Sequence, residues 1–228
     1  MPKFINERAV DDKSLSFYAR FKVLKNYLPS NAQVLEIGCG NGMVTQALVD
    51  RGNQVLGIDY DKAVVNKLKR SEIKAKFQLA DIMTYNPNKK FDWIVCSEVL
   101  EHLENDIKAL KLMYKWLNPH GHILLTVPGY KYYPEIHYPL GGHIRHYKID
   151  QLTKKVTQVG FRVKDKKLWG SLFRLLTITY LYKPALKISA NHSRIWGSSI
   201  VLSILRFFID VDLFFFPFHT EILLVLNK

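Results

Sequence analysis

Residues 34–42 read VLEIGCGNG. The first five, VLEIG, read as a buried strand. Gly38, Gly40 and Gly42 follow at alternate positions. Glycines in such a turn let the backbone reverse sharply and approach a ligand closely. The next stretch, MVTQALVDRG (43–52), has helical spacing, with Gly52 placed as a C-terminal cap. The loop therefore sits at an electropositive helix N-terminus. QVLGID (54–59) is a second strand, and Asp59 ends it. A carboxylate there can hold two ribose hydroxyls. The G-x-G-x-G spacing departs from the G-x-G-x-x-G that fits a dinucleotide pyrophosphate.

The same rhythm runs outward from this stretch. Upstream, Asp11–Asp12 cap a helix running to about Leu28, with Leu15, Tyr18, Phe21 and Leu24 on one face and Pro29 ending it. Residues 1–29 thus form a helical cap. Downstream, residues 61–71 are a helix, KFQLAD (76–81) a strand and FDWIVCS (91–97) a fourth strand. A helical stretch spans Glu98 to Leu117, with a break near Asn105–Asp106. NPHG is a turn, HILLTVP (122–128) a fifth strand, residues 149–160 a helix, residues 161–169 a sixth strand and residues 220–228 a seventh. Strands alternating with helices imply one α/β domain over residues 1–228, a doubly wound and mostly parallel sheet with helices on both faces.

The 228 residues are 48% hydrophobic, which excludes a disordered chain. The formal net charge of +13 predicts attraction to anions: nucleic acid, an anionic membrane surface or a phosphorylated substrate. The start, MPKFINERAVDDK, lacks the apolar core of a signal peptide, and Cys39 and Cys96 are the only cysteines. These features lead us to expect an intracellular, cytoplasmic protein with reduced thiols.

VLEIGCGNG, GID with Asp59, LADI with Asp81, FDWIVCSEVLEHL and NPHGHILLTVP together resemble the class I S-adenosylmethionine-dependent methyltransferases, over about residues 30–165 plus the last strand. The resemblance implies S-adenosyl-L-methionine as cofactor and a seventh strand lying antiparallel between the fifth and sixth. By the same likeness Gly38, Gly40 and Gly42 border the methionine portion, and Glu36 orients the loop. Asp59 binds the ribose, with Tyr60 beside it. Asp81 meets the adenine amino group, with Ile82 supplying apolar contact, and Ser97 and Glu98 sit at the mouth of the fourth strand.

The chain has Ser97-Glu98-Val99-Leu100 where amino-methylating nucleic-acid enzymes of this fold carry an Asn/Asp-Pro-Pro-aromatic run. Cys96 is not preceded by proline, as a cytosine C5 nucleophile would be, and reads as a small buried residue. Nucleic acid is thereby disfavoured as substrate. Transfer to an oxygen needs the hydroxyl proton removed or its charge stabilised, by a histidine base or a divalent cation.

Glu98, Glu101 and His102 stand at i, i+3 and i+4, so one helix would place them on one face. The mixed oxygen and nitrogen set suits Mg²⁺, Mn²⁺ or Zn²⁺. E-x-x-E-H is similar to the pattern of the quinone-biosynthesis O-methyltransferases, in which that trio is implicated in holding a divalent metal. The alternatives are a substrate-facing acid/base role, and an ordinary helix start with Glu101 solvated and His102 packed against the next strand. A second cluster, GYKYYPEIHYPLGGHIRHYK (129–148), reads as a substrate lid loop, with His143 a base or further ligand and Arg145 able to grip an anion. GGHIRHY resembles a G-H-x-R-x-Y run seen in methyltransferases of glycan and lipid biosynthesis. His102, His143 and Arg145 are the candidate catalytic residues.

Residues 169–219 form an insertion dense in Leu, Ile, Phe and Tyr and punctuated by Arg174, Lys183, Lys187, Arg194 and Arg206. No apolar stretch in it reaches the length of a spanning helix. It reads as an apolar helical insertion that meets a membrane interface, covers the substrate or forms a homodimer face. The expected function is O-methylation of a small-molecule, lipid-linked or glycan-type acceptor at the inner face of a membrane. The alternatives are a nucleic-acid or protein methyltransferase, and a non-catalytic cofactor-binding subunit docking a partner.

Overall fold

The structure, a computed structural model, describes residues 15–129, 142–170 and 221–228. Residues 1–14 of the N-terminal cap, 130–141 of the lid loop and the apolar insertion from residue 171 on lie outside the described residues. Strands β1 (Gln33–Ile37), β2 (Gln54–Asp59), β3 (Lys76–Leu79), β4 (Phe91–Ser97), β5 (Leu117–Pro128), β6 (Arg162–Trp169) and β7 (Glu221–Asn227) form one seven-stranded sheet in the order β3-β2-β1-β4-β5-β7-β6. The pairings from β3 through β5 are parallel; β7 runs antiparallel to both β5 and β6, as the resemblance implies. The helices are α1 (Leu15–Leu24), α2 (Met43–Val49), α3 (Lys62–Lys69), α4 (Asp106–Trp116) and α5 (Ile149–Val159).

Alternation along each strand sends successive side chains to opposite faces. Leu35 and Ile37 of β1, Ile123 and Leu125 of β5, and Ile222, Leu224 and Leu226 of β7 pack with Ala109, Leu110 and Met113 of α4 and Leu152 and Val156 of α5. Val34, Val95, Leu124, Leu223 and Val225 pack on the other face with Ala19 and Leu24 of α1 and Val44, Ala47 and Leu48 of α2. The central strands are buried on both sides, which explains why VLEI and ILLTV are almost wholly apolar, with Glu36 and Thr126 the buried polar exceptions.

Besides shifts of a few residues at element ends, the structure departs from the sequence reading at four places. The first helix keeps α geometry only to Leu24 and tightens into a 3₁₀ turn over Lys25–Tyr27. Leu28 is extended, as the residue before a proline must be. β3 stops at Leu79, short of Asp81. NPHG lies inside β5: two steps along β4, Phe91 to Trp93, face five along β5, Leu117 to His122, and His120 takes a left-handed φ of 63° in the bulge. The stretch after β4 is not one helix. Glu98 is left-handed at φ 56°, Leu100–His102 form a 3₁₀ turn, and α4 starts anew where the Asn105 side chain accepts from Lys108 N.

Asn53 ties the entry of β1 to the end of α2. Its buried side chain accepts from Ala32 N at 3.0 Å and donates to Pro29 O at 2.8 Å and Leu48 O at 2.7 Å. Asn53→Ala would leave buried backbone groups unpaired, so unfolding in urea should show a loss of about 1–3 kcal/mol with cofactor affinity retained.

Candidate active site

The glycine loop is held from β2. Gly40 N donates to Asp59 Oδ2 at 3.0 Å, and Gly38 N and Cys39 N donate to Ile58 O. Asp59 Oδ1 accepts from Asp61 N, so both oxygens fix backbone on either side of the strand end. Gly38 and Gly42 have φ of 73° and 83°. A Cβ on Gly38 would collide with Val99 Cγ2, and one on Gly42 would stand 2.6 Å from Leu68 Cδ2. The glycines are required both by backbone conformation and by close packing.

Glu36 is buried beneath this loop and accepts from Thr45 Oγ1 at 2.6 Å. Burial pushes its carboxyl up to about 8; the Thr45 hydrogen bond opposes this and Asp59 adds to it. Tyr60 projects into solvent at 67% exposure. Beyond it a groove of about 500 Å³ is lined by Tyr60, Ala80, Asp81 and Tyr85, among others. Asp81 Oδ1 accepts from Met83 N, and Ile82 is buried in the core. The expected methionine, ribose and adenine contacts thus lie side by side at the carboxyl ends of β1, β2 and β3, where open α/β sheets bind ligands.

At the mouth of β4 the ion pairs redraw the acidic trio. Ser97 and Thr126 face each other in register, with hydroxyl oxygens 2.8 Å apart; Thr126 Oγ1 donates to Glu98 Oε1, and Arg20 stands 3.5 Å from Glu98 Oε2. Glu98 therefore points toward β5 and α1. Glu101, a candidate ligand that the ordinary-helix alternative would leave in solvent, is fully buried, and neither of its oxygens meets a hydrogen-bond donor in good geometry among the described residues. His102 Nε2 lies 3.8 Å and His143 Nε2 4.0 Å from Glu101 Oε1. The single helical face carrying Glu98, Glu101 and His102 does not form, because Glu98 sits in left-handed backbone before a 3₁₀ turn. Glu101, His102 and His143 converge instead, with donor atoms within 4.8 Å of one another.

Burial drives the Glu101 carboxyl well above the ordinary carboxylate range; Glu98 adds to this, and the residue's own backbone N–H and Arg20 oppose it. His102 is held below the usual imidazole range by burial, against the hydrogen bond to Gly142. Since Gly142 O can only accept, His102 Nδ1 carries the proton at 3.0 Å, and in the neutral ring Nε2 turns a lone pair toward Glu101. His143 Nδ1 is 3.0 Å from His146 Nε2. Cys96 is fully buried, and burial raises its thiol far out of the nucleophilic range. Arg145 joins none of this: it pairs with Asp106 at 3.2 Å and donates to Glu104 O.

Sequence reading missed Arg20, Thr45, Thr126 and His146. Thr126 was findable, because it lies at the β5 end opposite Ser97; nothing in the pattern of α1 marks Arg20.

The fold and the glycine-loop site define a class I S-adenosylmethionine-dependent methyltransferase. Residues 11–166 match the family model described as "Methyltransferase domain", and the chain belongs to that family. A probable S-adenosylmethionine-dependent methyltransferase of Mycolicibacterium smegmatis is 30% identical over 140 residues, 58% of this chain and 52% of that protein, so the chain spans about half the length of that relative. A ubiquinone biosynthesis O-methyltransferase of Acinetobacter baylyi is 24% identical over 178 residues, 69% of this chain and 74% of the relative. Among solved structures, an S-adenosylmethionine-dependent methyltransferase of Mesorhizobium loti superposes with a TM-score of 0.61 at 16% identity, covering 92% of this chain and 98% of that one. The N-methyltransferase NodS of Bradyrhizobium japonicum, solved with S-adenosyl-L-homocysteine, gives 0.58 at 17% identity, covering 96% and 89%.

The buried carboxyl beneath the loop yields a pH test. Glu36 is neutral in the folded chain and ionised in the unfolded chain between the ordinary carboxylate range and about 8. Its contribution to stability is complete below that window and is lost as pH rises through it. Glu36→Gln keeps an acceptor for Thr45. The mutant should gain on the wild type by roughly 1.4 kcal/mol per pH unit across the window in cofactor-free denaturation curves; a pH-independent difference would place the charge elsewhere.

Proposed function

We propose that this domain methylates an oxygen of a small-molecule, lipid-linked or glycan-type acceptor, with S-adenosylmethionine supplying the electrophilic methyl group. The observation that carries this is the Glu101, His102 and His143 cluster at the mouth of β4. A nitrogen acceptor needs little beyond alignment, whereas a hydroxyl must lose its proton or have its charge stabilised. The named activity of the ubiquinone biosynthesis relatives supports the choice of oxygen. The apolar 169–219 segment supports a lipid-bearing acceptor. In this reading Asp59 orients the ribose while holding Gly40 N, Asp81 selects the purine, and Gly38 and Gly40 leave room for the amino-acid end of the donor.

The cluster fits a divalent cation. A buried carboxylate without donors is costly unless it keeps a proton or receives a positive charge. The Gly142 carbonyl fixes His102 in the tautomer a metal needs, as outer-shell partners of metal-bound histidines do. Two imidazoles and one carboxylate suit Mn²⁺ or Zn²⁺ better than the Mg²⁺ expected from a carboxylate-rich trio, since Mg²⁺ prefers oxygen ligands. When bound, such a cation would lower the pKa of a coordinated hydroxyl. His102 and His143 otherwise remain as bases for the acceptor proton.

Two experiments address the two parts separately. Asp59→Ala should abolish donor binding in calorimetry; unaltered affinity would remove Asp59 from the cofactor site. Protein purified without chelator should carry near-stoichiometric Zn²⁺ or Mn²⁺ by elemental analysis, and Glu101→Gln should lower metal content and methyl transfer together. Metal-free wild type with full activity would leave the histidines as the proton acceptors.

A further inference from the structure

A second cluster lies on the far side of the 142–147 segment. Asp106, at the start of α4, is mostly buried. Lys155 Nζ reaches both its oxygens, at 2.7 and 3.0 Å, Tyr147 OH donates to Oδ2 at 2.9 Å, and Arg145 Nη1 stands 3.2 Å away. One carboxylate thereby serves two cations. Burial alone would raise the Asp106 carboxyl, but Lys155, Tyr147 and Arg145 outweigh it and hold the group below its ordinary range. The pair also staples α4 to α5. That role needs one cation, not two, and it does not account for the groove that opens beside them.

The groove, about 420 Å³, is lined by Arg145, His146, Tyr147, Gln151, Lys154, Lys155 and Gln158. Gln151, Lys154, Lys155 and Gln158 stand at i, i+3, i+4 and i+7, so α5 turns one amide-and-ammonium face into it. Three cations line the groove against one carboxylate, and that carboxylate is recessed behind Arg145 and Lys155. Every non-aromatic side chain around it donates hydrogen bonds. A tetrahedral oxyanion with several acceptor oxygens is the ligand class such a lining recognises, and Arg145, braced by Asp106 and Glu104 O, presents its guanidinium already oriented.

We propose that this groove binds a phosphate group, as a monoester or diester. His146 lines it and is hydrogen-bonded to His143 of the Glu101 cluster, so one short segment serves both sites. The ligand's identity as the methyl acceptor rests on the function proposed above; the phosphate site itself does not.

The test uses the full chain. Inorganic phosphate is titrated into ¹⁵N-labelled protein without cofactor, following the amides of residues 145–147 and 151–158. Saturable shifts there are expected. Lys154 is exposed and outside the Asp106 staple, so Lys154→Glu should fold normally and weaken binding by roughly tenfold, the scale of reversing a charge beside an anion near a protein surface. Lys67→Glu, an equally exposed change on α3, should leave affinity unaltered. In a second arm, phosphatidylglycerol vesicles are compared with phosphatidylcholine vesicles. Retention on the former that Lys154→Glu abolishes assigns a lipid phosphodiester; phosphate binding without vesicle retention assigns a soluble phosphate-bearing ligand. Absent shifts, or equal weakening by both substitutions, overturns the site. Donor calorimetry on the same samples separates the readings: phosphate refused by protein that binds donor removes the groove alone, and donor refused by protein that binds phosphate removes the methyltransferase reading alone.

Discussion

The Asp59 carboxylate is the constraint on which the cofactor end of the fold depends. One oxygen takes Gly40 N and the other takes Asp61 N, so the β1 loop and the β2 exit are fixed by a single side chain at the carboxyl end of β2. Three left-handed glycines make the loop tight enough to accept that bond, and the adjacency of β1 and β2 brings the acid to it. The buried Glu36 then occupies the space beneath the turn, anchored to the first turn of α2 through Thr45. A short run of sequence thus builds a cavity floor whose polar atoms are largely committed before any ligand arrives, which is what preorganisation means for a donor that must be aligned rather than activated.

The mouth of β4 is organised differently. There the strand ends supply hydroxyls and carboxylates, Ser97, Thr126 and Glu98, while the chain after the lid returns His143 to meet Glu101 and His102. The central sheet fixes one half of that cluster and a connecting segment fixes the other. The geometry of the cluster therefore depends on how residues 142–147 are seated. The Gly142 carbonyl on His102, the Ile144 N bond to Glu101 O and the Tyr147 bridge to Gly129 do the seating.

Most of the fold was legible because its physics is local. β2 and β4 fall at the residues their apolar runs mark, Asn105 caps a helix where a break was anticipated, and the antiparallel last strand followed from family likeness. The errors come from tertiary terms. Nothing in SEVLEHL announces a left-handed Glu98, a conformation that a non-glycine residue adopts at some cost when its surroundings demand it. With Glu98 turned toward Arg20, the periodic reading of the acidic trio failed: Glu101 is buried beside His102, but Glu98 is not its companion. His143 lies some forty residues away, so its meeting with Glu101 is a property of the packed chain alone. The Asp106 staple, likewise, joins residues some fifty positions apart, and no local pattern marks their meeting.

The place of β7 has a consequence for how the chain is made. It follows β6 by some fifty residues, yet it lies between β5 and β6 and supplies the ladder partners of both. A chain emerging N-terminus first has β5 and β6 available long before the strand that joins them. Until β7 arrives, two unpaired edges and the apolar positions that Ile222, Leu224 and Leu226 will fill stay open to other chains. Closing over so long an intervening segment is a high-separation contact, and such contacts form late and slowly. The lysines that crowd β6, Lys164, Lys166 and Lys167, would then serve during synthesis as well as afterwards, by making that waiting edge repellent to its own kind.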